Sequence, residues 1–366
     1  MKVGVIHFNL EAYGGAEYVC LNIIKALHVS GYQVGLCNNS YLDYKRAFES
    51  SNIDVKDCID FFLSLDQGQL SFFKVYQRMA YGYFSIKKLW KEFCPDFIIV
   101  TYYPPPIVPR DYVDKTIIYV HYPIDTNSIT PSQMPYWKPI TFILETLDGY
   151  KNAKILTNSK YTANVIKRLW NRKATVIYPP CPLYLDLPLN EKKNWVCTLS
   201  RFSPEKRHEI VLEIAKQLPN IEFHLIGNTI PSKWSYLTHL MQKARPLSNV
   251  HFHIDAPVQE KCEILKNSKV LLHTMYGEQF GISLVEALSS GTIPIPNDSG
   301  GAKEDGFIPS EFRWKTIEDA VNIIHRYIHE WNVSLAKKLR EESKKFGQEN
   351  FQRNIIDLIE SWYNTK

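Results

Sequence analysis

Val270–Leu288 reads VLLHTMYGEQFGISLVEAL. A short apolar run, VLLH, gives way to a polar loop with two glycines, and the loop opens into a helical pattern, GISLVEAL. A strand this apolar is expected to be buried on both faces, the condition of a strand in a parallel sheet covered by helices. Glu278 stands in the loop and Glu286 within the apolar helix. Packing alone calls for a carboxylate at neither place.

The same rhythm runs along the chain. Apolar runs at Val3–Phe8, Gln33–Cys37, Asp96–Thr101, Thr116–Val120, Lys154–Thr157 and Thr175–Tyr178 alternate with helix-length segments in the first half. Trp195–Leu199, Glu222–Ile226, Val250–His253, Val270–His273 and Thr292–Ile295 do so in the second. Short buried strands separated by helices predict an α/β chain of two doubly wound, Rossmann-like domains. The proline-rich stretch Tyr178–Asn194, YPPCPLYLDLPLNEKKN, reads as the linker. The expected division is 1–180, 190–345 and a last helical segment, 346–366. Parallel sheets bind ligands beyond the carboxyl ends of their strands, so functional residues are sought just after each run.

Five constellations stand there. After VLLH, Glu278 lies at a helix's amino end, where N–H groups of Phe280, Gly281 and Ile282 and the helix dipole suit an anion. Glu286 can accept hydroxyls from a second group. The structural alternative is a dipole-favoured glutamate and a solvated one. After Trp195–Leu199 comes LSRFSPEKRHE, Leu199–Glu209, with Ser203 at an N-cap and Pro204 at the first helical position. Arg201 and Lys206 flank that turn. A leaving diphosphate needs its charge neutralised, either by a metal or by fixed cations. The chain contains no Asp-x-Asp, so cations are expected and no metal or cofactor is. After Thr116–Val120 comes VHYP, which places His121 at a strand end, although a lone histidine is commonly structural. After Val3–Phe8 comes AYGGAEYV, where Gly14 and Gly15 permit a tight turn and close approach to phosphate. PNDSGGAKED, Pro296–Asp305, is the fifth, with a plain surface turn as its competitor. Neither a Gly-x-Gly-x-x-Gly fingerprint, a P-loop, a zinc spacing nor a Ser/His/Asp arrangement is visible.

With these residues in place the chain resembles the family 4 retaining glycosyltransferases of the GT-B fold, two Rossmann-like domains facing a cleft. Glu278 and Glu286 match that family's paired glutamates, Arg201 and Lys206 its diphosphate-binding pair, GGAE its first-strand loop and His121 its cleft histidine. ENFQRNIIDLIESWY fits its last helix, which crosses back to the N-terminal domain. HYP, NSKYT, VIYPPC, FSPEKRH, LHTMYGEQFGI and NDSGGAK are similar to the family's dolichol-linked α-1,2-mannosyltransferase branch. The resemblance implies catalytic roles for His121, Arg201, Lys206 and Glu278. It implies that Glu286 holds the ribose, Glu278 the hexose hydroxyls and the Phe280–Ile282 loop the diphosphate. It also implies GDP-mannose as donor, a lipid-diphosphate oligosaccharide as acceptor, and a front-face step assisted by the leaving phosphate. Three readings stay open: this enzyme, another sugar-nucleotide chemistry with a soluble acceptor, and a catalytically silent partner subunit.

Composition narrows the setting. A hydrophobic share of 45% and a charged share of 22% are those of an ordinary globular chain. The net charge of +5 permits a nucleotide, a phospholipid headgroup or a nucleic acid without choosing among them. The aromatic share of 13% would suit sugar or lipid contacts as well as cores. Seven scattered cysteines point to a reduced compartment, and no apolar run is long enough to span a membrane. A cytoplasmic location is expected, at the inner face of a membrane. The segment Phe72–Phe93 shows why: Phe72, Tyr76, Met79, Tyr83, Ile86, Trp90 and Phe93 form one stripe, with Lys74, Arg78, Lys87, Lys88 and Lys91 around it. It is expected either to lie at a lipid interface or to cover the sheet, in which case Phe73, Ala80 and Phe84 stay exposed.

Overall fold

The computed structural model describes all residues except 11–13, 66–72, 103–106, 124–129, 147–152, 191, 230–232 and 365–366. The chain divides into two compact units, Met1–Pro180 with Gln348–Lys366, and Cys181–Gly347.

The first unit runs β1 (Lys2–Ile6), α1 (Gly15–Val29), β2 (Gln33–Asn38), α2 (Tyr44–Ser51), β3 (Phe61–Ser64), α3 (Lys74–Phe93) and β4 (Phe97–Val100). It continues with β5 (Thr116–Val120), α4 (Met134–Thr146), β6 (Lys154–Thr157), α5 (Lys160–Trp170) and β7 (Thr175–Val176). All pairs are parallel, in the order β3-β2-β1-β4-β5-β6-β7. The order reverses between β1 and β4, and the carboxyl ends of strands at such a reversal are where open parallel sheets bind ligands.

The second unit runs β8 (Lys193–Leu199), α6 (His208–Gln217), β9 (Glu222–Gly227), α7 (Trp234–Ala244), β10 (Val250–Ile254), α8 (Val258–Asn267) and β11 (Ser268–His273). After these come α9 (Ile282–Ser289), β12 (Ile293–Pro296), α10 (Gly300–Glu304), α11 (Ile317–Glu330) and α12 (Val333–Ser343). Its sheet, also parallel, is ordered β10-β9-β8-β11-β12, so its reversal lies between β8 and β11. The chain then returns to the first unit as α13 (Gln348–Asn364). Phe351, Ile355 and Ile359 of α13 are buried in the same core as Val19 and Ile23 of α1, and Gln352 Nε2 donates to Asn22 Oδ1 at 3.1 Å.

The stripe on α3 turns inward. Met79, Ile86, Leu89 and Phe93 join the core with Ile6, Ile98 and Ile118. Gly4 and Gly35 make room for them: a Cβ at Gly4 would lie 2.7 Å from Leu89 Cδ2, and one at Gly35 2.6 Å from the Phe93 ring. Two strand glycines thus let the helix sit close on the sheet. The described stripe residues are therefore sheet-packing or half-buried, and Phe72 lies outside the described residues. Arg78 also turns in, its guanidinium 4.8 Å from the Phe8 ring. Phe73 (52% exposed) and Phe84 (57%) stay outside, as does the run of Lys87, Lys88 and Lys91. Ala80 is half-buried. Among the described residues no helix is long and apolar enough to cross a membrane.

Candidate active-site residues

In the second unit the β8–β11 reversal gathers two loops. The loop after β8 runs through exposed Arg201 into a single 3-10 turn, Pro204–Lys206. Arg207, with φ 57°, ends that turn before α6 begins. Lys206 thus closes a short turn instead of sitting at the start of a continuous helix, where the dipole would oppose its charge. The Thr274 hydroxyl, just beyond β11, donates to Lys206 O at 2.6 Å and ties the two loops together.

Across this junction Lys206 Nζ donates to Glu278 Oε2 at 2.6 Å and lies 3.1 Å from Met275 Sδ. His273 Nε2, at the last position of β11, is 3.2 Å from the same carboxylate oxygen. Burial alone would raise the Glu278 pKa, but Lys206 and His273 outweigh it and hold the carboxyl well below its usual range. Beneath them lies His208, its Nε2 3.1 Å from Ser200 Oγ. Burial, helped by Lys206 and His273, pushes its pKa down to about 3, so its imidazole is neutral.

The Glu278 loop is braced from below by the turn after β12. Gly277 N donates to Ser299 Oγ and Gly301 N to Glu278 O, each at 2.8 Å. Gly300 and Gly301 are buried. The stretch PNDSGGAKED is thus a support of the site, and the surface-turn alternative fails for its Gly-Gly pair. At the loop's far end Phe280 is core, its ring 5.2 Å from that of Phe307 and 5.4 Å from that of Phe346. Gly281, at φ 90°, turns the chain into α9 ahead of Ile282.

Glu286 lies a little over one turn into α9 and is 6% exposed. It belongs to a separate group: its Oε1 accepts from Tyr184 OH and from Lys261 Nζ, each at 3.1 Å. The structure thus joins Lys206 directly to Glu278, leaves Arg201 exposed, and gives Glu286 its own partners. No short-range motif pointed to Tyr184 or Lys261, which lie 102 and 25 residues from Glu286. His273 did carry a signal, since a polar residue closing an apolar strand stands where ligands bind.

In the first unit the β1–β4 reversal places His7 and Thr101 side by side, with Nδ1 of the former 2.9 Å from Oγ1 of the latter. His121, directly after β5, has Nε2 2.9 Å from Thr101 O. Asn158 Nδ2 donates to His121 O at 2.9 Å. Gly14 is the N-cap of α1, Gly15 its first residue, and the Gly14 N–H donates to Glu17 Oε2 at 2.8 Å. Residues 12 and 13 of the AYGGAEYV motif lie outside the described residues. Among the described residues no group of three or more His, Cys, Asp or Glu side chains is placed to hold a metal ion.

Residues 13–183 match the model of Glycosyltransferase Family 4, and residues 186–346 that of Glycosyl transferases group 1. The chain is 28% identical over 238 residues to the human GDP-Man:Man(3)GlcNAc(2)-PP-Dol alpha-1,2-mannosyltransferase, covering 57% of this chain and 48% of that protein. The Dictyostelium discoideum protein of the same name is 26% identical over 269 residues, 64% of this chain and 52% of that one. The chain therefore spans about half the length of these relatives. Among solved structures, Thermosynechococcus elongatus sucrose-phosphate synthase matches with a TM-score of 0.75 at 16% identity over 100% of both chains. Anabaena HepE in complex with UDP and glucose matches at 0.71 and 17% identity, over 99% of this chain and 100% of that one. These two likenesses speak to the fold, which is GT-B.

Proposed function

The chain belongs to the family 4 glycosyltransferases, and on that premise we propose that it moves mannose from GDP-mannose onto a lipid-diphosphate oligosaccharide with retention at the anomeric carbon. The observation that carries this is the Lys206–Glu278–His273 cluster at the β8–β11 reversal. Lys206, with Arg201 on the same loop, supplies cationic charge for the departing diphosphate without a metal. Glu278, ionised and aimed by two partners, accepts hexose hydroxyls. Glu286, held by Tyr184 and Lys261, accepts ribose hydroxyls. The front-face step, in which the departing phosphate assists attack on the face it leaves, rests on the resemblance to the family. The mannose, the guanosine diphosphate and the lipid acceptor rest on the names of the relatives.

The test incubates the protein, in EDTA, with GDP-mannose, GDP-fucose, UDP-glucose and UDP-N-acetylglucosamine, each with and without a dolichol-diphosphate oligosaccharide. The expected result is one added hexose on the lipid oligosaccharide with GDP-mannose alone, and tighter calorimetric binding of GDP than of UDP. Tighter UDP binding would overturn the donor assignment, and a strict need for Mg²⁺ the metal-free role of Lys206 and Arg201.

We further propose that α3 meets an anionic lipid surface with its outer face. Phe73 and Phe84 are eleven positions apart, roughly three turns, so they share a face that also carries Lys87 and Lys91. Exposed rings beside a cationic run suit the headgroup zone. The protein is expected to float with phosphatidylserine liposomes at low salt, and K87E/K88E/K91E to stay in the soluble fraction. A native protein that remains soluble would show this face to be ordinary solvated surface.

A further inference from the structure

At the carboxyl ends of β1, β4 and β5, four residues of the first unit form one line of contacts. Glu17 Oε1 lies 3.5 Å from His7 Nε2. His7 Nδ1 lies 2.9 Å from Thr101 Oγ1, and the Thr101 carbonyl 2.9 Å from His121 Nε2. His7 is 2% exposed. Glu17 is kept in place by the Gly14 N–H.

The acceptors decide where the protons are. A backbone carbonyl can only accept, so His121 Nε2 carries hydrogen and the lone pair of the neutral ring is on Nδ1. The Thr101 hydroxyl points at Ile6 O, 3.5 Å away, and is left to accept from His7 Nδ1–H. The other nitrogen of His7 faces a carboxylate. A carboxylate 3.5 Å from that nitrogen favours a proton there as well, and with it the imidazolium form.

We infer that His7 and Glu17 are positioning residues for His121: through Thr101 they fix it as the Nε2–H tautomer and keep it neutral, so that its Nδ1 accepts a hydrogen bond from a substrate hydroxyl. The identity of that hydroxyl, a hexose one, rests on the glycosyl-transfer reading; the tautomer and the charges do not. Burial opposes the charge on His7, but the Cys20 thiol and Glu17 outweigh it and hold the pKa up at about 9. For Glu17, burial is outweighed by His7 and the Gly14 N–H, bringing the pKa down to about 2. Burial lowers His121 to about 4 against the pull of the Thr101 carbonyl, with His7 lowering it further and Glu17 acting the other way. Among the described residues the ring neighbours are Tyr119, 5.1 Å from His121, and Tyr102, 6.5 Å from His7. Neither phenol is charged near neutral pH. Among the described residues His7 is thus the cation that faces His121.

The test is ¹⁵N NMR of the histidine side chains in the full chain without substrate, with signals assigned by comparison with H7Q and H121N. At pH 7 the expected spectrum shows His121 as the neutral Nε2–H tautomer and His7 doubly protonated. In H7Q a cation near His121 is lost while Glu17 stays, so the His121 pKa is expected to rise by roughly one unit. The acid limb of kcat/KM should move up with it. In E17Q, His7 loses the carboxylate that favours its charge while Cys20 stays, and its pKa is expected to fall. An Nδ1–H tautomer at His121, or an unchanged His121 pKa in H7Q, would overturn the proposal; should H7Q fail to fold, an unchanged His7 pKa in E17Q does so. Because these readouts need no turnover, a protein that passes them yet transfers no sugar refutes the proposed reaction and leaves the positioning intact.

Discussion

Lys206→Ala is expected to lower kcat by roughly 10²-fold or more, because in the proposed reaction the charge it neutralises develops mainly as the diphosphate departs. The same substitution takes away the ammonium 2.6 Å from Glu278 and leaves a carboxylate with only 13% of its side chain exposed beside His273. A second effect follows from that. Glu278 has a folded pKa depressed below its unfolded value of about 4.5, so it contributes stability above that pH and loses it as pH falls. Lys206→Ala should cut this contribution, lowering Tm at pH 7 and flattening the acid limb of the stability profile. Adding Glu278→Gln should restore part of the Tm without restoring turnover. A thermal melt and single-turnover kinetics on the two variants separate the roles. Turnover within threefold of the native value in Lys206→Ala would remove this residue from the mechanism.

Gly300→Ala is expected to be nearly as damaging, although this residue carries no chemistry. At φ 63°, a side chain there is strained by about 1–2 kcal/mol. Its Cβ would also lie 2.3 Å from Glu278 O and 2.8 Å from Glu278 N. Those atoms are backbone, so the clash is relieved only by moving the loop that carries the carboxylate. A displacement of about 1 Å costs roughly 10²-fold in rate. Gly306 supplies the control: its φ is 72° but a Cβ there would meet nothing within 4 Å. Gly306→Ala should lose stability alone. Equal turnover in the two variants would show that the brace beneath Glu278 is dispensable.

Much of the scaffold was legible in local composition. The apolar runs at Thr116–Val120 and Lys154–Thr157 coincide with β5 and β6 residue for residue, and the others differ from their strands by one or two residues at one end or both. Strand β3 was missed. Phe61–Ser64 is four residues at the sheet edge with only Leu63 buried, too short and too exposed for periodicity to register. The stripe on α3 was visible, but its direction was not, since an aromatic stripe is equally suited to a sheet and a lipid surface. The burial of Leu89 and Phe93 against two strand glycines decided it.

The candidate site divides in the same way. Residue type and place after a strand were enough to single out Lys206, Glu278, Glu286 and His121, because loops after parallel strands are where ligands bind. Their partners were not legible. Lys206 meets Glu278 across 72 positions, and His7 meets Thr101 across 94. Sequence by itself determined which segments are buried strands and which loops are polar, because burial leaves a local, periodic mark on residue type. Strand order, and therefore which loops lie side by side at each reversal, was decided only by tertiary structure, because a side chain's charge, tautomer and aim depend on atoms that the chain brings close only when the sheets have formed.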